Sequence, residues 1–579
     1  MDRRVLHWSS LKTRLTKSLQ HGSTFTSRTL FGLALALLCT GLFWVINSQA
    51  NGHPDENLYT NAAIQMVQTG DYWTPFYPDG RIRLVKPILT YWALAGVFHG
   101  LGINLFASRL ASLLAGVVTV CLTFQLARVI TASRNTAILA AAIVAGNVEL
   151  LVISVRATPD ALLCLFTLVS MWGFARVWFQ RDQSCIGPLL AFGGMGLAVQ
   201  TKGFLGLWPL AAVAMFWVIG KPEPSLTKRL LHWPAIMIGI TIAVFWYAVM
   251  FHLHGAFAFR DLYQDQLGPR LTFNPLSILG NAAAYLWTGF KNFLPWVLLL
   301  LAICLRQRVA FATFWRENRR QLSFALIPFV VLLAAFSLGN VRAQRYLTSA
   351  LPLLAVLVAS VLHRVPVDEA VWKWVRRVAW FTAGLGILVG TGLLLVGINH
   401  GGALIAGGLV ILVVGIAGVM ALRSADRLLC SVWIAGLVVS AFVVGRACLL
   451  PLLYPQALPT LAKQLLQQNQ PGTRICTWQI RNSRTGFLRL LTEGKFPISE
   501  LSTNGGLPDF PDAPFVVTTS PHQSLFLQAG YEVVQIEPDN GVSAYIQQLA
   551  QPFWPGNIKT EKSDRETYWL ATRRSQKTE

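Results

Sequence analysis

Apolar stretches close to 20 residues long recur along this chain, near 29–48, 107–127, 135–153, 161–179, 187–200, 204–220, 233–252, 286–305, 322–339, 347–363, 378–398, 402–422 and 428–449. A helix of about 20 residues crosses the ~30 Å hydrocarbon layer of a bilayer. Lipid offers no hydrogen-bond partner to the backbone, so each stretch must be helical where it crosses. Composition agrees, since 54% of the 579 residues are apolar and only 13% charged, with a mean hydropathy of +0.50. A soluble domain carries about 25% charged residues. Collagenous, disordered and disulfide-scaffold classes are excluded, because eight Cys is sparse for a chain of this length. The fold class that follows is mainly α, a polytopic membrane protein with about thirteen transmembrane helices.

Two apolar segments need separate treatment. The run 187–220 would be about 50 Å long as one helix, and Thr201-Lys202-Gly203 interrupts it, which predicts a tight hairpin. Pro87 to Gly102 is too short to cross and reads as an interfacial helix.

The charge excess of +22 speaks of topology. From Pro451 onward Lys and Arg nearly balance Asp and Glu, so the excess lies in the apolar part. A nucleic-acid binder would instead concentrate it on a soluble face. With thirteen spans, six basic residues precede the first helix, and Arg128, Arg134, Arg176, Arg181, Lys221, Lys228, Arg229, Arg306 to Arg320, Arg364 to Arg377, Arg423 and Arg427 all fall on the inner side. The expected arrangement has the N-terminus inside, long outer loops at about 49–106 and 253–285, and the C-terminal segment outside; the resemblance given below implies that the membrane is a bacterial inner membrane, with cytoplasm inside and periplasm outside. The boundaries are 1–450 for the membrane domain and 451–579 for a small soluble α/β domain. In the latter, Thr460–Gln470 reads as helix and Arg474–Trp478, Pro514–Thr519 and Tyr531–Ile536 as strands.

Polar residues in the outer loops are the candidates for chemistry. Asp55 and Glu56 follow the first span within His53-Pro54-Asp55-Glu56-Asn57-Leu58-Tyr59. Adjacent carboxylates there can supply a general base, or merely an Asp/Pro helix cap with Glu56 in the first turn. Arg81, Arg83 and Lys86 run against the inner-side bias, as phosphate clamps or as snorkelling cations beside Tyr91 and Trp92. Arg156 and Asp160 are either functional or a mutual structural pair. Lys202 sits at the hairpin tip, where it can meet an anionic head group or snorkel. Arg270 and the pair Arg345 and Tyr346 complete the set. His252 and His254, two residues apart, lie on different helix faces and do not form a good metal pair.

Taken in order, Asp55-Glu56, Lys86-Pro87 before Tyr91-Trp92, Arg109-Leu110, Thr158-Pro159-Asp160, Thr201-Lys202-Gly203 and Arg345-Tyr346 with Pro352 resemble the bacterial aminoarabinose transferases and their protein O-mannosyltransferase relatives, membrane glycosyltransferases of the GT-C superfamily. The resemblance covers residues 30–360 best. It implies a GT-C-like arrangement and inverting transfer of a sugar from a polyprenyl-phosphate donor to a lipid or protein acceptor at the outer membrane face. Asp55 would stand at the reaction centre and Lys86 on the donor phosphate. Glu56, Tyr59 and Asp160 would organise the cavity, and Lys202, Arg270, Arg345 and Tyr346 would contact donor or acceptor. No cofactor is required, although a divalent metal is admitted. Two departures stand out: Leu58 replaces the family's usual Arg before the first-motif tyrosine, and Val85 replaces an acidic residue before the lysine. Two rival functions come from other classes, a transporter or flippase of an amphipathic envelope lipid and a non-catalytic scaffold. Transporters gather ionisable groups near the midplane in broken helices, whereas these cluster in outer loops.

Overall fold

The structure is a computed structural model and describes residues 41–47, 53–256, 274–339, 343–365, 369–400, 402–424, 427–453, 457–501, 503–504, 507–508, 514–519, 523–536 and 568–573. Among the described residues, nine helical runs are long and apolar enough to cross a membrane, or eleven if each of two bent pairs counts as one span. Thirteen is not reached. Most of the first expected run, 29–48, lies outside the described residues. The hairpin discussed below counts as one run.

Helix starts follow local chemistry. Pro54–Thr69 begins with Pro in its first turn and His53 as N-cap, whose Nδ1 accepts from the Asp55 N–H at 3.2 Å. It ends at Gly70, whose φ of 77° lies in the left-handed region that favours glycine. The expected cap was Asp55 itself; the neighbouring histidine takes that place. Asn104 caps Leu105–Thr131 by accepting from the Ala107 N–H at 2.8 Å, and this helix reaches about 40 Å.

Two expected spans are not straight. The one expected at 135–153 is Arg134–Ala145 joined to Val148–Ser154 at 63°, with Asn147 accepting from the Glu149 and Leu150 N–H groups at the break. The one at 286–305 breaks instead into Pro275–Asn292 and Trp296–Arg306, bent by 101° around Phe293-Leu294-Pro295. Ile186–Gly220 is continuous in secondary structure but reverses direction. Gly187 lies against Val177 near the end of the Pro159–Phe179 helix, Lys202 meets Asp160 near its start, and the Phe216 ring is back at 5.0 Å from Trp178. The turn is the 3-10 segment Gly203–Leu207, opened by Gly203 at a φ of 68°. The interruption at Thr201-Lys202-Gly203 therefore makes a hairpin, as its composition predicts.

The reversal sets two ends of the bundle apart. At one end Arg364 donates to the Thr131 carbonyl at 2.5 Å and to Asn318 Oδ1 at 3.2 Å, Arg320 to the Trp178 carbonyl at 3.5 Å, and Arg229 to the Arg181 carbonyl at 3.4 Å. These are loops on which the basic excess concentrates, and here their guanidinium groups satisfy helix C-terminal carbonyls. Asp55, Asp160, Lys202 and Arg345 lie at the other end.

The C-terminal segment contributes a mixed five-stranded sheet in the order β2-β1-β5-β7-β6, made of β1 (Ile475–Trp478), β2 (Ile498–Glu500), β5 (Phe515–Thr518), β6 (Tyr531–Ile536) and β7 (Tyr568–Arg573), with a small hairpin of β3 (Thr503–Asn504) and β4 (Leu507–Pro508). β1 runs parallel to β2 and β5, while β7 is antiparallel to both β5 and β6. The three expected strands are present and the expected helix is Ala457–Gln468; β2, β7 and the helix Asn482–Leu491 were not foreseen. The short interfacial segment is the helix Leu89–Leu101. Its Tyr91, Leu94 and Phe98 share one buried cluster with Ala62, Met66, Leu461, Phe487 and Ile498.

The helices Pro159–Phe179 and Ile186–Lys202 pack tightly at Gly173, where a Cβ would fall 2.3 Å from the Ala191 backbone nitrogen. Gly173→Leu is expected to cost about 1–3 kcal/mol through overpacking, read as a lower melting temperature of the detergent-solubilised protein, with Gly193→Ala, where a Cβ meets nothing within 4 Å, as the neutral control.

Candidate active site

The site grows from the N-terminal ends of two helices brought side by side. Pro54–Thr69 supplies His53, Asp55 and Glu56, and Pro159–Phe179 supplies Thr158 and Asp160. Acidic residues in a first turn are favoured by the exposed N–H groups there. The hairpin tip adds Lys202, and the turn Gln344–Ala350 adds Arg345 and Tyr346.

Arg345 is the junction. Its Nη2 donates to Asp55 Oδ2 at 2.7 Å, its Nη1 lies 3.2 Å from His53 Nε2, and its Nε is 3.7 Å from Asp160 Oδ2. Asp160, almost fully buried, takes its second cation from Lys202, whose ammonium also sits 5.3 Å from the Tyr346 ring centre. The chain of charges thus runs Asp55, Arg345, Asp160, Lys202. Asp55 is the accessible member, with 41% of its side chain exposed. His53 faces two donors, the Asp55 N–H and Arg345, and a neutral imidazole accepts from only one of them. Burial lowers its pKa; Asp55 opposes the shift, and the Arg345 and Arg156 charges reinforce it.

Beside this network lies a cleft of about 590 Å³, lined by His53, Glu149, Arg156, Asp160, Lys291 and Arg345 among others. That volume is in the range of small-molecule sites. The Arg156 Nε is buried without a partner. Asp160 pairs with Lys202 and Arg345, so of the two readings of Arg156 and Asp160 the mutual pair is not the one seen. Arg156 is instead a cation of the cleft wall.

Other predicted residues belong to the core. Glu56 is 1% exposed, and Arg109 grips it through Nε at 2.6 Å and Nη2 at 3.3 Å while the Ala157 N–H adds a bond at 3.1 Å. Burial alone would raise its pKa; the Arg109 charge and these hydrogen bonds outweigh that and hold it below the ordinary 4.5. With both oxygens taken, Glu56 fits a positioning role better than a chemical one. Tyr59 packs 5.2 Å from Tyr91, and Arg83 is buried over the Tyr59 ring at 4.8 Å while donating to the Tyr91 hydroxyl. Neither lines the cleft. Lys86 is half-buried on the loop ahead of Leu89–Leu101. Arg270 lies outside the described residues. His254 contacts the Thr74 hydroxyl at 3.1 Å, which gives it a structural bond in place of a metal.

Sequence reasoning missed three members, Glu149, Lys291 and Arg109 as the partner of Glu56. Arg109 carried a signal, being a lone guanidinium within a long apolar run. Glu149 and Lys291 come close only through the two helix breaks, which periodicity does not announce. Among the described residues no three His, Cys, Asp or Glu side chains converge as metal ligands, and the nearby Asp160 carboxylate already faces two cations, so no step is routed through a metal.

Comparison with known proteins agrees with this architecture. Residues 85–247 match the family model described as dolichyl-phosphate-mannose-protein mannosyltransferase. An undecaprenyl phosphate-alpha-4-amino-4-deoxy-L-arabinose arabinosyl transferase of Pseudomonas fluorescens is 28% identical over 349 residues, 59% of this chain and 58% of that one. An uncharacterised Aquifex aeolicus protein is 28% identical over 325 residues, 55% of this chain and 61% of its own. The matches thus span about three fifths of these curated relatives. The crystal structure of ArnT from Cupriavidus metallidurans in the apo state covers 95% of this chain and 98% of its own at a TM-score of 0.69 and 16% identity, and the form bound to undecaprenyl phosphate gives 0.69 at 18% identity. The chain is therefore aminoarabinose transferase-like in sequence and in fold.

Arg109→Met is expected to destabilise the protein by about 3–5 kcal/mol, because it strands a buried carboxylate. Replacing both partners, as Glu56→Leu with Arg109→Met, should lose less, and thermal melts in detergent compare the two. The depressed Glu56 pKa adds stability that is present above the ordinary 4.5 and is lost as pH falls toward the folded-state value. The wild-type melting temperature should therefore drop more steeply below pH 5 than that of Glu56→Gln.

Proposed function

We propose that this chain is an inverting glycosyltransferase that moves a sugar from a polyprenyl-phosphate donor to a lipid or protein acceptor, with its site on the outer face of the inner membrane. The N-terminus is placed in the cytoplasm and the segment 451–579 in the periplasm, as a soluble α/β domain. The observation that carries the reading is Arg345, which bonds the half-exposed Asp55 while lining a cleft beside Asp160 and Lys202. A carboxylate beside an open cleft suits a general base, and fixed cations suit a leaving phosphate. The relatives' names support the donor class, since they are transferases of a sugar from undecaprenyl phosphate. The acid–base network of Asp55, Arg345, Asp160 and Lys202 sits at one end of the bundle, which favours chemistry at a membrane face over carriage through the midplane.

In this reading the acceptor O–H gives its proton to Asp55 as its oxygen forms a bond to the sugar C1 from the face opposite the phosphate. The C1–O bond to phosphate breaks, and the electron pair leaves on the polyprenyl phosphate. Lys86 and the cleft cations Arg156 and Arg345 offset the charge that develops there. Tyr346 shields the buried Lys202–Asp160 pair, which in turn holds Arg345. Glu56, Tyr59 and Arg83 set the scaffold beneath.

Asp55→Asn in the purified protein is expected to lower sugar transfer from a synthetic polyprenyl-phosphate sugar by at least 100-fold, in the range of general-base losses, with an unchanged melting profile. Full activity in that variant would remove Asp55 from the mechanism. Lys86→Ala is expected to weaken binding of the polyprenyl phosphate by about 1.5–3 kcal/mol, measured by titration calorimetry.

A further inference from the structure

The helix that carries Asp55 has a second owner. On the side away from the membrane bundle, the helix Asn482–Leu491 lies against it so closely that a Cβ on Gly486 would fall 2.6 Å from the Asn57 carbonyl oxygen and 3.1 Å from Asn61 Cβ. One turn on, Arg489 donates through Nη1 to Asn61 Oδ1 at 2.5 Å and through Nη2 to the Ile498 carbonyl, at the start of β2, at 2.7 Å. Gln68 reaches the Gly494 carbonyl at 2.8 Å. Asn57, Asn61 and Gln68 follow one another at helical spacing, so one face of the helix is fastened along its length. The loop that carries Lys86 is fastened too, because Asn482 donates to Asp79 Oδ2 at 2.8 Å.

Arg489 is an unusual fastener. It is 6% exposed, and among the described residues no carboxylate pairs with it; its side chain donates to two neutral oxygens, Asn61 Oδ1 and the Ile498 carbonyl. Burial pushes its pKa down to about 10. An uncompensated buried guanidinium is a poor source of stability compared with an apolar side chain, and its planar fork fixes direction where an apolar contact would slide. Asp55 depends on such direction, since its bond to Arg345 joins this helix to the turn Gln344–Ala350, whose Arg345 lines the cleft.

Resting on the transferase reading, we propose that Arg489 is a positioning residue which, with Gly486, sets the rotation of the Pro54–Thr69 helix and so the aim of Asp55 at the acceptor. The C-terminal sheet is then part of the reacting unit. A misplacement of about 1 Å at a reacting group can cost 100-fold in rate.

The test uses full-length protein in nanodiscs. Arg489→Met and Gly486→Ala are expected to lower kcat at least tenfold while the affinity for polyprenyl phosphate stays within twofold, and Arg489→Lys should recover part of the loss. Amide exchange over residues 54–69 should rise at least tenfold in Arg489→Met, with that over 159–179 unchanged. Unaltered kcat and exchange in Arg489→Met overturn the proposal. So does a parallel fall of kcat, donor affinity and melting temperature in Gly486→Ala and Arg489→Lys, which would mark a general loss of fold. If Arg489→Met does not fold, the other two variants decide. Should the wild type transfer no sugar from any polyprenyl-phosphate donor, the transferase reading fails, and the exchange result alone still judges whether Arg489 orients the helix.

Discussion

A carboxylate and a guanidinium, both out of water, fix the frame on which the site is built. Glu56 and Arg109 meet in two bonds between the Pro54–Thr69 and Leu105–Thr131 helices, and the Ala157 N–H closes the arrangement from a third segment. Neither charge tolerates the loss of the other, so three elements remote in sequence are held in one geometry. Asp55 is the residue just before Glu56, and it shares that geometry without being consumed by it. The same motif thus divides its labour, with one acid locked and its neighbour left half-exposed beside Arg345.

Much of this was legible in the sequence. The apolar runs located most of the long helices, the break at Thr201-Lys202-Gly203 announced the hairpin, and the basic loops marked the end of the bundle that carries no site. Asp55, Asp160, Lys202 and Arg345 were picked out as charged residues in outer loops, where a structural excuse is hard to find. Their partners were harder to read. Asp160 lies four residues from Arg156 in sequence, yet it pairs with cations 42 and 185 residues away, because Arg156 precedes the helix whose first turn Asp160 occupies. Proximity along the chain was a poor guide wherever a helix began between two charges. The kinks at Asn147 and at Leu294-Pro295 escaped notice for a related reason, since hydropathy measures length and composition but not direction.

The charged groups sort by depth of commitment. Glu56, Arg109 and Arg83 are buried among fixed partners, Asp160 and Lys202 are buried at the rim, and Asp55, Arg156 and Arg345 border open space. This gradient separates locked charges from accessible ones more cleanly than residue type does. It also bears on the two departures from the family pattern. The resemblance implies charge where Leu58 and Val85 stand, and the cations Arg156 and Lys291 that border the cleft come from other segments.

The hairpin Ile186–Gly220 gives the site a mechanical property of its own. Both arms reach the same distant surface, and the first packs along Pro159–Phe179 at Gly173 and Gly194, so the height of the crest that meets Asp160 is set by the length of each arm and by that packing. Lineages diverging from this chain are then free to vary the connections at the root, while insertions within either arm would lift or twist Lys202 away from its acid.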